Sequence, residues 1–363
     1  MRYGHLQTPF PEKRRLTGAV PAASIEYRIR RSVIMSKKHG KRHSGQSGEE
    51  SGHKRELPPR RSESDQPPSS AAWARSAVRH AARGAPIDTA ALASCAASGI
   101  VTVQPGEAVD LGAIDADSDG GLDKEAAKEA LVVEHGRIQE LQERLYAEHR
   151  RSLLVVFQAI DTGGKDGTIR SVFEGVNPQG CRVWSFKVPS AEERDHDFLW
   201  RYHAKAPGRG MIGVFNRSHY EDVLVVRVKS LEPEGVWRPR YDLINDFERM
   251  LTLSGVTVLK FFLHISKEEQ KERLEARIAD PEKHWKFDAA DLVERESWDA
   301  YQTAFTDALS RCSTSHAPWH VVPANRKWYR NLLVARTIAN TLEAMDPRYP
   351  DAQPGIAELT VPD

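Results

Sequence analysis

Short, nearly unbroken apolar runs alternate along this chain with longer stretches of helical spacing. The clearest run is Leu153-Leu154-Val155-Val156-Phe157-Gln158-Ala159. Runs of this length and density predict strands buried on both faces. Further strands are predicted at Arg182–Val188, Met211–Phe215, Val256–Ile265 and His320–Val322. Between them lie helical stretches near Thr168–Val176, Ala191–His203, Tyr220–Val228, Tyr241–Ser254 and Lys267–Arg311, with a closing helix from Trp328 to Met345. Ahead of the first strand, Asp123 is placed to cap a helix that carries Leu131, Ile138, Leu141 and Leu145 on one face. Alternation of this kind predicts an α/β fold, a parallel sheet covered by helices on both faces. Ligands of such sheets sit beyond the carboxyl ends of the strands. That rule puts the segment after Ala159 and the segment after Phe215 at one rim.

The first of these segments carries chemistry. Ile160-Asp161-Thr162-Gly163-Gly164-Lys165-Asp166-Gly167-Thr168 is a glycine-rich turn with one lysine between a strand and a helix. This is the layout in which backbone N–H groups and a lysine receive phosphate oxygens at a helix N-terminus. The pattern G-x-x-x-x-G-K-[ST] aligns from Ala159 to Asp166. Gly164 and Lys165 fit, Ala159 replaces the first glycine, and Asp166 stands where a metal-binding hydroxyl is usual. Asp161 is then the natural carboxylate for a metal ion. In the second segment, Asn216-Arg217-Ser218-His219-Tyr220-Glu221-Asp222 follows the strand directly. Arg217 suits phosphate oxygens through its planar fork, and Glu221 and Asp222 offer carboxylates one helical turn beyond Asn216.

Composition narrows the picture. The chain has 363 residues and a formal net charge of +1, but the charge is uneven: residues 1–100 hold 18 lysines and arginines against 8 acids, the remainder 34 against 43. The first hundred residues are rich in Ser, Pro, Gly and Ala, and are expected to form a basic, disordered tail. Residues 101–350 are expected to form the working domain, with 351–363 as a C-terminal tail. No run approaches the ~18 apolar residues of a membrane span. Cys95, Cys181 and Cys312 lie far apart, as ordinary thiols of a cytoplasmic protein do. Asp115-Ala116-Asp117-Ser118-Asp119-Gly120 imitates half of a calcium loop, but Ala126 stands where the twelfth-position glutamate is needed, so the segment reads as a polar turn.

Taken together, these blocks resemble the polyphosphate kinase 2 family. Gln158 to Arg170 is similar to its Walker A signature. Gly175-Val176-Asn177-Pro178-Gln179-Gly180, Leu199-Trp200-Arg201, Pro207-Gly208-Arg209-Gly210, Phe215 to Asp222 and Ala317-Pro318-Trp319 are similar to further family blocks. The resemblance runs from about Val103 to Met345. It implies a P-loop kinase α/β/α sandwich with a five-stranded parallel sheet, similar to thymidylate kinase, and a helical lid at about 266–300. It implies reversible, Mg2+-dependent transfer of a phosphoryl group between inorganic polyphosphate and a nucleotide, with Mn2+ as the alternative ion. AMP, ADP, GDP and ATP are the expected nucleotides. A homo-oligomer is expected, without membrane or specific nucleic-acid partners. Asn216, where many members carry Asp, together with Glu221 resembles the subgroup that accepts both mono- and diphosphates.

Polyphosphate carries negative charge on every unit, so transfer demands positioning and charge neutralisation above all. Asp161, Lys165 and Arg217 are assigned to catalysis, and Asp161 and Glu221 to the metal. Gly163, Gly164, Gly167, Thr168, Arg170, Lys187, Arg201, Arg209, Lys271 and Arg277 are assigned to phosphate binding. Lys205, Lys267, Arg273, Lys283 and Lys286 add to the same basic set. His196, His203 and His219 raise a phosphohistidine route, against which a P-loop favours direct in-line transfer. Two other functions share part of this pattern: an ATP-dependent nucleoside monophosphate kinase, and a non-enzymatic polyanion binder working through the basic tail.

Overall fold

The computed structural model describes residues 89–287 and 290–362. Most of the expected basic tail, residues 1–88, lies outside the described residues. Six strands form one sheet: β1 (Val101–Thr102), β2 (Ser152–Gln158), β3 (Cys181–Ser185), β4 (Ile212–Asn216), β5 (Val256–His264) and β6 (Trp319–Pro323). The helices are α1 (Thr89–Ser94), α2 (Lys124–Glu148), α3 (Lys165–Val172), α4 (Ala191–Asp195), α5 (Trp200–His203), α6 (Val225–Val228), α7 (Glu234–Trp237), α8 (Arg240–Leu253), α9 (Lys267–Ala279), α10 (Ala290–Glu296), α11 (Trp298–Cys312) and α12 (Lys327–Met345). Among the described residues, no helix is long and apolar enough to cross a membrane.

The spatial order of strands is β1-β6-β5-β2-β4-β3. The five strands expected from the sequence are all present and all parallel. The sheet is nonetheless mixed, because β1 adds a sixth, antiparallel strand against β6. Two residues carry too little pattern to be seen in sequence. Every residue of β2, β4, β5 and β6 is buried. That burial follows from helices on both faces, and it explains why these strands read as continuous apolar runs. After β4 the chain crosses β2 to lay down β5 on the far side. The carboxyl end of β2 is therefore the topological switch point, where open α/β sheets bind ligands.

The long helices take their starts from side-chain caps. Asp123 accepts from Glu125 N and Ala126 N at the head of α2. Ser266 accepts from Glu269 N at the head of α9. Ile138 and Leu145 of α2 are wholly buried, while Leu131 and Leu141 pack at the core's margin. The stretch Lys267–Arg311 is not one helix. Asp280 and Pro281 end α9, and a 3-10 turn, α10 and α11 follow. Leu92, Cys95 and Ala97, which the sequence assigns to the tail, are buried. Ala97 N donates to Thr337 Oγ1 of α12 at 3.0 Å, so the folded region begins before residue 101. In the polar turn ahead of α2, Asp117 and Asp119 both pair with Arg326, at 2.9 and 3.5 Å.

Candidate active site

Two loops meet at the carboxyl rim of adjacent strands. The first runs from Ala159 to Gly164 between β2 and α3. Its turn is tight: a Cβ on Gly163 would lie 2.5 Å from Ala159 Cβ and 2.9 Å from Ile160 O. Gly164 has φ +96 and Thr162 has φ +59, the second an unusual value for a residue with a branched side chain. The strain is held from outside the loop. Gln270 Nε2 donates to Asp161 O at 3.1 Å, and Arg273 Nη1 donates to Thr162 O at 3.1 Å. Arg273 also donates to Ala324 O beyond β6, at 2.6 Å. The first turn of α3 then presents backbone N–H groups and the positive end of its dipole.

Lys165 is the first residue of that helix. Its ammonium group is buried and donates to Ala159 O at 3.1 Å. Burial, then the neighbouring Arg217 charge, lower its pKa to about 8, against the opposing pull of Asp161, Glu221 and Asp166. Burial also pushes the Asp161 carboxyl upward. The positive charges of Lys165, Arg217 and Arg277 outweigh it and hold Asp161 below the usual carboxylate range. Asp161 is therefore ionised at neutral pH, fitted to manage charge and not to take a proton.

The second loop is the turn after β4. Arg217 has φ +62, and it directs its guanidinium across to the first loop. Nη2 lies 3.4 Å from Asp161 and Nη1 lies 3.7 Å from Glu221. The Gln158 amide, turned so that its NH2 donates to Glu221 at 3.0 Å, accepts from Ser218 Oγ at 3.2 Å. Asn216 Nδ2 donates to Asp166 at 2.6 Å and reaches Ser185 Oγ at 3.4 Å. The two departures from the usual kinase pattern, Asp for Ser/Thr in the first loop and Asn for Asp in the second, are thus hydrogen-bonded to each other. Asp222 turns away toward Tyr202 and Arg240. Burial raises its pKa to about 6 despite those partners.

Beneath the second loop lies a polar network with no solvent access. His219, Glu248 and Lys260 are all 0% exposed. Glu248 accepts from Lys260 at 2.6 Å and from Tyr220 at 2.9 Å, and His219 lies 3.1 Å away. Lys260 also donates to Cys312 O and Tyr220 Oη. His219 and Tyr220 are thus bolted inward while Arg217 and Glu221, on either side, face the first loop.

Helices α9, α10 and α11 contribute the remaining neighbours. Arg277 approaches Asp291 at 3.8 Å, and Tyr301 donates to Glu294 at 2.6 Å. Glu294 also pairs with Lys229. Arg295 donates to Gln270 Oε1 at 2.9 Å.

The structure brings together Asp161, Gly163, Gly164, Lys165, Arg217 and Glu221, with Arg277 close enough to act on Asp161. Other expected residues fall elsewhere. Thr168 is buried and donates to Gly164 O at 3.1 Å, so its hydroxyl closes the helix instead of opening to a ligand. Gly167 lies in the same turn of α3. Arg170 is exposed in the helix's last turn. Lys187 is exposed just past β3 at the same rim. Arg201 is buried, donates to Lys187 O at 2.9 Å and lies over the Phe186 and Tyr202 rings, which makes it a tie between α5 and the chain after β3. Lys271 is exposed and pairs with Glu275 at 3.7 Å. Arg209 is at the wrong end: it precedes β4, and its neighbour Gly210 donates to Arg151 O ahead of β2 at 2.7 Å. The strands separate it from the loops by roughly 17–20 Å. Gln158, the first residue of the Walker A-like block, is given no role by the sequence, and Gln270 and Arg330, also in contact with the loops, escape any sequence motif. Gln270 and Arg330 come from far along the chain, with no local signal to announce them.

The chain is similar to known proteins over most of its described length. Residues 121–350 match the family model for polyphosphate kinase 2. The chain is 51% identical to an AMP/ADP-polyphosphate phosphotransferase of Meiothermus ruber over 261 residues, covering 71% of this chain and 98% of that protein. It is 38% identical over 224 residues to a polyphosphate:AMP phosphotransferase of Pseudomonas aeruginosa, covering 61% of this chain and 45% of that one. The crystal structure of polyphosphate kinase 2 from Arthrobacter aurescens TC1 superimposes with a TM-score of 0.68 at 43% identity, covering 70% of this chain and 93% of the other.

Proposed function

The chain belongs to the polyphosphate kinase 2 family, and from that premise we propose how its residues divide the work of a polyphosphate:nucleotide phosphotransferase. The observation that carries the reading is the convergence of Asp161, Lys165, Arg217 and Glu221 from two loops at the switch point. A phosphoryl unit of the phosphoanhydride chain sits at the N-terminus of α3. Lys165 and the backbone N–H groups take its charge. An oxygen of the nucleotide's terminal phosphate attacks the phosphorus in line. The P–O bond to the rest of the chain breaks, and the shortened polyphosphate leaves with the electron pair. Arg217 stabilises charge on the equatorial oxygens. The reverse reaction uses the same groups.

The donor set suits a hard divalent ion. Asp161 and Glu221 are carboxylates on either side of one guanidinium, and Mg2+ is commonly held by one or two carboxylates together with substrate phosphates. We assign both residues to Mg2+, with Mn2+ as the alternative. When bound, the ion would neutralise phosphate charge. Asn216 does not share that role, since its amide is engaged with Asp166. His219 is wholly buried against Glu248 and offers no nucleophile to substrate, which favours direct transfer over a phosphohistidine route. Residues 266–300 form the lid in this reading. AMP and ADP are the acceptors, GDP and ATP further nucleotides, and a cytoplasmic homo-oligomer the working form.

The test is product identification. The protein, polyphosphate and Mg2+ are incubated with AMP, ADP or GDP, with ATP offered in place of polyphosphate as a control donor. Di- and triphosphates formed only with polyphosphate support the reading; transfer only from ATP would make the chain a monophosphate kinase. In the Glu221→Gln protein, losses that fall unequally on AMP and ADP, or that extra Mg2+ partly restores, support the Glu221 assignment, and unchanged kinetics on both would remove it.

A further inference from the structure

Arg330 belongs to none of the motifs, yet it is the most unusual charge near the loop. It sits in the first turn of α12 and is 2% exposed. Its Nε and Nη2 both donate to a single acceptor, Asn331 Oδ1, at 3.1 and 2.8 Å. Its Nη1 has no partner. Glu269, the carboxylate in its field, is already engaged by Arg273 at 2.6 Å. Burial and the adjacent Arg273 charge lower the Arg330 pKa to about 9.

The free end of this guanidinium faces the phosphate loop. A Cβ placed on Gly164 would lie 2.3 Å from Nη1, and one on Gly167 would lie 3.9 Å from Nη2. The missing side chain of Gly164 leaves room for the arginine, a second role beside its φ of +96, while the 3.9 Å at Gly167 is ordinary contact. A buried cation with an unsatisfied donor is costly. Here it stands beside a second buried guanidinium, Arg273, next to Gly164 at the positive end of a helix. An anion at the N-terminus of α3 would give its free Nη1 an acceptor. Sites that hold charge ready in this way sacrifice stability when empty and gain affinity when filled.

We infer that Arg330 is a phosphate-binding residue of this loop, its Nη1 donating to an oxygen of the phosphoanhydride unit seated at the start of α3. The inference rests on the loop reading given above. Polyphosphate and a nucleotide both carry such a unit, and separate probes tell them apart.

Thermal melting and calorimetric binding are measured with tripolyphosphate and with ADP, in the wild-type, Arg330→Met, Arg330→Lys and Lys165→Ala proteins. Arg330→Met is expected to melt no lower than wild type without ligand, because an unpaired buried charge has been replaced by apolar volume. Its affinity for tripolyphosphate is expected to fall about tenfold or more, as for a lost charge-assisted hydrogen bond, and the ligand-induced rise in melting temperature shrinks with it. Arg330→Lys should fall between the two. A loss confined to ADP would keep Arg330 on phosphate but give that unit to the nucleotide. Wild-type affinity for both probes in Arg330→Met, or in Arg330→Lys should the first fail to fold, overturns the inference. So does a lower melting temperature with unchanged affinity. If Lys165→Ala loses binding and turnover while Arg330→Met loses neither, only Arg330 is wrongly assigned. If Lys165→Ala keeps both, the loop reading itself fails.

Discussion

The two loops at the active rim are strained in different ways and held by different means. The loop after β2 is an arrangement of backbone. Its working groups are N–H donors and one lysine, its shape depends on Gly163 and Gly164, and Gln270 and Arg273 grip its carbonyls from the side. The turn after β4 is an arrangement of side chains. Its strain is concentrated in Arg217, and it is fastened from below by the buried Glu248–Lys260–Tyr220–His219 network. In the proposed mechanism the backbone cradle receives a phosphate unit, and the side-chain turn places one guanidinium and one carboxylate where charge develops in transfer. On that reading the contrast separates binding a phosphoryl unit from moving it.

The largest expected effect comes from cutting the fastening of the second loop. Glu248→Gln leaves Lys260 buried without its counter-ion, a loss of about 3–5 kcal/mol for a broken buried pair. Denaturant unfolding should show that loss. Turnover should fall further than tripolyphosphate binding does, because the Arg217 turn is loosened while the first loop is not. Equal losses in both would mean that the network serves the core generally.

Next come the first loop's own residues. Lys165→Ala and Asp161→Asn should each lower the transfer rate by about 10²–10³, the usual cost of one group that meets developing charge. Lys165 also gives the first loop a pH signature. With its pKa lowered to about 8, the free enzyme loses this charge as pH rises through 8, and kcat/KM for polyphosphate should decline above that point. Stability moves the other way: between pH 8 and the ordinary lysine value of 10.5 the unfolded chain holds more protons, so the Lys165 contribution to stability rises with pH across that window. Both trends should vanish in Lys165→Ala.

The smallest effect is expected at Arg209. It stands at the amino edge of the sheet, and Arg209→Ala should change turnover and KM by less than about twofold, as ordinary surface substitutions do. A large effect there would show that substrate reaches the far edge.

The first loop was far more legible in sequence than the second. Dense apolar runs located β2, β4, β5 and β6 to within a few residues, because burial on both faces removes most polar interruptions, while β3, partly exposed, was located without such a run. The glycines and lysine of the first loop declare their chemistry by spacing alone. Arg217 and Glu221 were found by adjacency to a strand end. Their fastening was not, since Glu248 and Lys260 look like any helix acid and strand cation until the fold joins them. Arg330 was invisible for the same reason. Arg209 was misplaced although chain direction held the answer: a residue entering a parallel strand lies opposite one leaving it. The Asn216–Asp166 pair was seen as two separate departures, and only the fold shows them bonded.

The central claim is that the two loops act on one phosphoryl group. A double-mutant cycle tests it most directly, with Asp161→Asn, Arg217→Gln and the combined protein assayed for ADP formation from AMP and polyphosphate at saturating Mg2+. Residues acting as one unit are strongly non-additive. The account predicts that the double variant is scarcely slower than the slower single one. Losses that simply multiply would contradict it.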